Sequence, residues 1–185
     1  MKPLDAIDKR ILEILQRDGR ISNAALSAAI NLSPTPCLDR VRRLEREGYI
    51  RGYHAELCPE LLDSNFITLV AVNLHHTSDE AFQSFSKSVA KFDEVMSCYM
   101  IGGKFDYILK VRTADMQEFR RFMAQKLSCM PELASTQSYF SMEEVKNTHE
   151  IAVRKPVPAS EISDRNILNM DAQTVSPRKV ANRAS

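Results

Sequence analysis

Leu26-Ser27-Ala28-Ala29-Ile30-Asn31-Leu32-Ser33-Pro34-Thr35-Pro36-Cys37-Leu38-Asp39-Arg40-Val41-Arg42-Arg43-Leu44-Glu45-Arg46 reads as a helix, a tight turn and a second helix with arginines on its outer side. Asn31 stands where the turn wants a left-handed residue, and asparagine is the best non-glycine choice there. Ser33 is placed to accept a hydrogen bond from an orphan amide of the next helix, and Pro34 takes the first helical position, where no donor is needed. Leu32 and Cys37 hold staple positions that fix the entry angle.

With Val41 as reference and about 100° per residue, Cys37, Val41 and Leu44 share an apolar stripe, while Pro36, Asp39, Arg43 and Arg46 project from the opposite side. Thr35, Arg40 and Arg42 flank that face. A guanidinium fork matches both the O6/N7 edge of guanine and a phosphate, so such a helix suits a major groove. A solvated charged face is the plain alternative, and the capped tight turn ahead of the helix favours DNA. Ser33, Thr35, Pro36, Asp39, Arg40, Arg42, Arg43 and Arg46 are therefore the candidate DNA-contacting residues.

Working outward, Leu4, Ile7, Ile11, Leu12, Ile14 and Leu15 repeat at helical spacing around Asp5, the N-cap candidate, which predicts a first helix from Asp5 to Asp18 with Gly19 as its stop. Ser22 caps a second helix, and Gly48 ends the third. Residues 49–57 alternate like a short strand, a wing or a tether, and complete a DNA-binding domain over 1–57.

The chain has 185 residues, 44% of them apolar and 26% charged, which is ordinary globular composition and excludes disorder throughout. Its net charge of +1 argues against a broadly basic surface. Within 34–46, however, four arginines face only Asp39 and Glu45, so the positive field is local to one helix. No apolar run is long enough to span a membrane, and the first residues do not resemble a signal peptide, so a cytoplasmic protein is expected. Cys37, Cys58, Cys98 and Cys129 lie far apart, as expected of reduced thiols buried in a core. The pair His75-His76 has no other ligands near it in sequence, and no metal site is expected.

Residues 58–65, with Pro59 and small polar neighbours, break both periodicities and read as a linker. Beyond it the expected order is strand (66–75), helix (78–92), strand (95–101), strand (105–113), helix (115–130) and strand (134–143), the split βαβ or ferredoxin-like arrangement. Both helices carry Phe and Met stripes that read as core. The first strand is apolar on both faces, with Ile67, Leu69 and Ala71 on one and Phe66, Val70 and Val72 on the other. That pattern predicts a homodimer packed sheet to sheet, able to present two recognition helices to a symmetric site. The chain is thus expected to be α+β, with a helix-turn-helix, winged-helix-like domain followed by a ferredoxin-like βαββαβ domain over 66–148. A disordered tail is expected over 149–185, with short helical potential at 162–170 and a basic end at Arg178, Lys179 and Arg183.

Leu4-Asp5-x-Ile7-Asp8-x-x-Ile11-Leu12, Asp18-Gly19-Arg20-Ile21-Ser22, Leu32-Ser33-Pro34-Thr35-Pro36-Cys37 and Gly48-x-Ile50-x-Gly52-Tyr53 occur in one register. With Gly103-Lys104-Phe105-Asp106-Tyr107 and Met142-Glu143-Glu144-Val145-Lys146, they resemble the Lrp/AsnC family and its leucine-responsive branch over residues 4–148. The resemblance implies a regulator that activates and represses transcription, with a C-terminal domain that binds an amino-acid effector and assembles homodimers into higher oligomers, often octamers that wrap nucleoid DNA. No other cofactor is implied. Carried over, Met100, Gly103, Phe105 and Asp106 line the effector site from a glycine-containing turn, with Tyr139 and Ser141 contributing from the last strand. A turn offers free amides to a carboxylate, and Asp106 can pair with an ammonium or, more plainly, cap the turn. Lys104 adds a positive charge where many relatives carry a negative one.

Two other functions compete. One is an architectural protein that wraps DNA with little sequence preference. The other is an amino-acid-metabolising enzyme, against which stands the lack of any assembled nucleophile and base, phosphate-binding glycine loop or metal-ligand spacing.

Overall fold

The computed structural model describes residues 3–153, so the expectations placed on the tail beyond 153 lie outside the described residues. Among the described residues, those up to Glu56, joined by 146–153, form one compact unit, and Leu57–Val145 forms the other.

The first unit holds α1 (Ala6–Leu15), α2 (Asn23–Ala29) and α3 (Pro34–Arg46). Asp5 caps α1 through a reciprocal box: its carboxylate accepts from Asp8 N–H at 2.8 Å, and Asp8 accepts from Asp5 N–H at 3.0 Å. α1 ends at Leu15, before the expected Asp18, because Arg17 and Asp18 N–H both turn back to Ile14 and the Asp18 carboxylate holds Arg20 N–H at 3.0 Å. Gly19 serves a close approach instead of a helix stop: a Cβ there would sit 3.1 Å from the Tyr53 ring.

Ser22 caps α2 through Ala25 N–H at 3.2 Å. α2 and α3 both end in the left-handed motif in which two amides reach back to the last turn. After α2, Asn31 at φ 54° lets Leu32 N–H reach Ser27 O at 2.9 Å, and after α3, Gly48 at φ 78° lets Tyr49 N–H reach Leu44 O at 2.9 Å. Ile11, Leu26, Ile30, Cys37 and Leu44 form the core, with Leu32 and Ile50 packed against it.

The strand expected over 49–57 does not form. A strand needs a ladder partner, and this segment is extended without one, anchored by Ile50 in the core and by the Tyr53 hydroxyl donating to Glu45 at 3.0 Å. Burial, reinforced by the Glu45 carboxylate, pushes that hydroxyl up to about 12. Residues 150 and 151 pack on the end of α1 by a two-way amide pairing. Gln16 donates to Ile151 O at 3.1 Å and accepts from its N–H at 3.0 Å, while Arg17 pairs with Glu150.

The second unit holds β1 (Phe66–Leu74), α4 (Asp79–Val89), β2 (Val95–Met100), β3 (Tyr107–Thr113), α5 (Met116–Gln125) and β4 (Leu133–Phe140). The strands form one antiparallel sheet in the order β2-β3-β1-β4, the expected βαββαβ arrangement. Val70, Val72, Tyr107, Leu109 and Val111 meet Phe85, Val89, Phe119 and Phe122 of the two helices in a core closed by Leu127 and Met130. Each fully buried apolar side chain there contributes about 1.5–3 kcal/mol. Before β1, residues 60–62 make one 3-10 turn within the expected linker.

The opposite face of the sheet differs from the expectation of a uniformly apolar surface. Leu69, Tyr99 and Tyr139 are exposed on it, but alternation from the buried Tyr107, Leu109 and Val111 also places Lys110 and Arg112 there. Glu144, beyond β4, neutralises both, contacting Lys110 closely and Arg112 at 2.9 Å. The thiols depart from expectation too: Cys37 is buried, whereas Cys58, Cys98 and Cys129 are exposed on a linker, an edge strand and a 3-10 turn.

Candidate nucleic-acid interface and effector site

The entry to α3 is built differently from the sequence expectation. Ser33 is the N-cap residue but makes no side-chain cap bond. A cap hydroxyl bonds the amide of the second or third helical residue, and Pro36, the third, has no N–H. Asn23 secures the turn instead, donating from Nδ2 to Pro34 O at 2.9 Å, so the Ser33 hydroxyl stays exposed beside Thr35.

The buried side of α3 is centred on Cys37 and Leu44, both fully buried, while Val41 is only half-buried. That turns the outward direction by about 50° from the axis expected from Val41. Thr35, Asp39, Arg42 and Arg46 occupy the free face, and all four are exposed, as is Pro36 on its shoulder. Arg40 and Arg43 fall on that same shoulder, against the start of α1, which corrects the expectation that Arg43 projects from the free face and Arg40 flanks it.

Arg40 Nη1 donates to Asp5 Oδ2 at 2.6 Å and to Asp8 Oδ1 at 2.7 Å. Arg43 Nη2 lies 2.5 Å from Asp8 Oδ2, a charge contact outside hydrogen-bond alignment. Asp8 is fully buried, and the Arg43 side chain is 15% exposed. Two carboxylates thus meet two guanidiniums between α1 and α3. Burial works to raise the Asp5 carboxyl, but the Asp8 amide, the Arg40 guanidinium and the Ile7 amide together hold it at about 2. The Arg40 guanidinium is pushed up by its hydrogen bonds to Asp5 and then Asp8. Local sequence marks Asp5 only as a helix cap and gives Asp8 no role of its own. The signal was available in two carboxylates three apart at a helix start, able to meet two arginines three apart on another helix.

In the second unit, the turn between β2 and β3 runs from Ile101 to Asp106, with Gly103 at φ 154°. Lys104 Nζ stands over the Phe105 ring, 5.2 Å from its centroid. Asp106 is committed to the fold: its Oδ2 accepts from Leu74 N–H at 2.8 Å and its N–H donates to Val72 O at 2.9 Å. It therefore holds the end of β1, where pairing with β4 shifts register between Asn73 and Leu74. Met100 is exposed and lines a cavity of about 460 Å³ between α4 and β2 with Val89, Cys98 and Tyr107.

Tyr139 pairs with Leu69, and Ser141 N–H donates to Ile67 O, toward the other end of β1. Three or more residues of strand, about 10 Å or more, separate them along β1 from the Val72 and Leu74 contacts of Asp106. Within one chain the six candidate effector residues form two groups that do not converge. Among the described residues, no group of His, Cys, Asp and Glu could hold a metal ion, and no helix is long and apolar enough to cross a membrane.

Two families match the chain: the winged helix-turn-helix DNA-binding family over residues 4–51 and the Lrp/AsnC ligand binding domain over residues 67–151. The chain is similar to the leucine-responsive regulatory proteins of Klebsiella pneumoniae and Escherichia coli K12. Each is 44% identical over 153 residues, which cover 83% of this chain and 93% of the relative. Among solved structures, it is similar to a transcriptional regulator from Neisseria meningitidis in complex with L-Met, 35% identical with a TM-score of 0.77 over 81% of this chain and 97% of that one. It is also similar to an AsnC family transcriptional regulator from Agrobacterium tumefaciens, 32% identical with a TM-score of 0.77 over the same shares.

Proposed function

Because the chain belongs to the Lrp/AsnC family and is a DNA-binding transcription regulator with an amino-acid-binding domain, we propose that it reads duplex sequence through the free face of α3 and responds to leucine or another amino acid held between the second units of two copies. The observation that carries the DNA half is the exposed row Thr35, Asp39, Arg42 and Arg46, with Ser33 beside it, on a helix whose other side is core. Ser33 and Thr35, at the helix entry, suit a phosphate, and Arg42 and Arg46 suit base edges or phosphates.

The effector half is supported by the separation of the candidate residues. The glycine turn at 101–106 and the Tyr139–Ser141 segment lie apart in one protomer, and a second copy packed on the open sheet face is the means of bringing one group of each together. Free amides around Gly103 suit a carboxylate. Asp106 has one oxygen committed to Leu74 and the other left for an ammonium. An amino acid bound this way shifts assembly only as far as it binds one oligomeric state more tightly than another. Dimers, and octamers built from them, are the states it selects between. A nucleoid-associated protein in the cytoplasm follows from the same reading.

Anisotropy titrations on duplex DNA enriched from a random pool, repeated with scrambled duplex and with each of the twenty amino acids, test this. Arg46→Ala is expected to lose about 1–3 kcal/mol of binding to the enriched duplex, and at least one amino acid to change binding and assembly. Equal affinity for enriched and scrambled duplexes would instead favour architectural wrapping, and no response to any amino acid would remove the effector reading.

A further inference from the structure

The charge cluster between α1 and α3 raises a question that the DNA-binding reading alone does not answer. Arg40 and Arg43 stand on the recognition helix, and with Pro36 and Asp39 they border an open hollow of about 300 Å³ on its surface. They are close enough to the free face to meet a polyanion, yet their charge is already neutralised. Asp8 is at the centre of that arrangement: its Oδ1 accepts from Arg40 at 2.7 Å, its Oδ2 accepts from Asp5 N–H at 3.0 Å and lies 2.5 Å from Arg43 Nη2.

Arg43 is held by charge and burial alone, since its Nε and Nη2 are buried with no aligned hydrogen-bond partner. Removing the Asp8 charge leaves a guanidinium with unmet donors beside an open hollow, and its shortest route to satisfaction is outward. Contacts between arginine and phosphate are blind to sequence and dominate non-specific affinity. A recognition helix with all four arginines free would hold any duplex tightly, whereas one with two withheld relies on Arg42 and Arg46.

We propose that Asp8 is a specificity-determining residue of the DNA-binding unit: its buried carboxylate withholds Arg40 and Arg43 from DNA phosphates, leaving recognition to the free face of α3. Asp8 touches no DNA, so it acts as a positioning residue. The inference rests on the reading of α3 as the DNA-binding helix.

The test uses the full-length chain and its Asp8→Asn variant, titrated against an enriched duplex and a scrambled duplex of equal length at 50 and 200 mM salt. Asp8→Asn is expected to bind the scrambled duplex more tightly at 50 mM. Its affinity is also expected to fall more steeply with salt, by about a further 3.5-fold over that range for each arginine released, and the preference for the enriched duplex to shrink about tenfold. Asp8→Asn combined with Arg43→Gln restores the charge balance and is expected to return the salt dependence toward that of the unmodified chain. A merely structural role for Asp8 would lower both affinities together without steepening the salt dependence.

A folded Asp8→Asn chain with unchanged salt dependence and unchanged preference overturns the inference. Should Asp8→Asn not fold, Asp5→Asn decides it, because Asp5 is half-exposed and its loss deprives Arg40 of one of its two carboxylates. A steeper salt dependence supports the inference, and an unaltered one overturns it. If the unmodified chain binds neither duplex at low salt, the failure belongs to the DNA-binding reading instead.

Discussion

Asp5 does two things at the head of α1: one carboxylate oxygen accepts the Asp8 amide, and the other meets Arg40 from α3 at 2.6 Å. Both partners favour the charged form and hold the group at about 2 against its ordinary 3.8. A carboxyl depressed in the folded state adds stability that is fully present above 3.8 and is lost as pH falls through about 2. Chemical denaturation followed across that window is therefore expected to show a shallower loss of stability in Asp5→Asn than in the unmodified chain. Equal pH dependence would mean that neither the cap nor the Arg40 contact survives in solution. Pro36 gives a second example of one residue redirecting its neighbours. Lacking an N–H, it leaves Ser33 without its cap bond, and Asn23 secures the turn in its place.

Two left-handed residues bracket α3 as elements of the unit: Asn31 ahead of it and Gly48 behind it. Asn31 sets the tight turn, since Leu32 N–H can reach Ser27 O only if the preceding residue turns left. Asn31→Ala is expected to cost about 1 kcal/mol, read as a lower denaturation midpoint with an unchanged denaturant slope. No loss would show that the turn is held by Leu32 packing alone. The segment after α3 illustrates the opposite case. Its alternating pattern satisfies the period of a strand, but period does not supply a partner strand, and residues 49–57 remain extended on Ile50 and Tyr53.

The open sheet face dominates at the scale of the whole molecule. Leu69, Tyr99 and Tyr139 lie exposed in the company of Lys110 and Arg112, whose charges Glu144 already meets. A face that is apolar and charge-neutralised suits a second copy of itself. Leu69→Glu is the informative variant, because Lys110 lies directly across the ladder and can receive the new carboxylate within one chain. Sedimentation is expected to show a shift toward single chains with unchanged circular dichroism, since burying two such carboxylates across a two-fold axis is costly. Assembly that resists this change would place the contact between copies elsewhere.

The order of helices and strands over 66–140, the caps at Asp5 and Ser22 and the left-handed Asn31 were legible residue by residue, because each depends on neighbours within a turn or two of the chain. The direction of α3 was not. It depends on which side of the helix finds core, and that side is centred on the fully buried Cys37 and Leu44, with the half-buried Val41 at its edge. That rotation carried Arg40 and Arg43 to Asp5 and Asp8, more than thirty residues earlier in the chain. For the same reason, Asp106 could be read from the sequence as a turn carboxylate, but not as the group that holds Leu74. Capping and turn chemistry act locally, whereas ion pairing between elements is fixed only when packing brings distant charges out of water together.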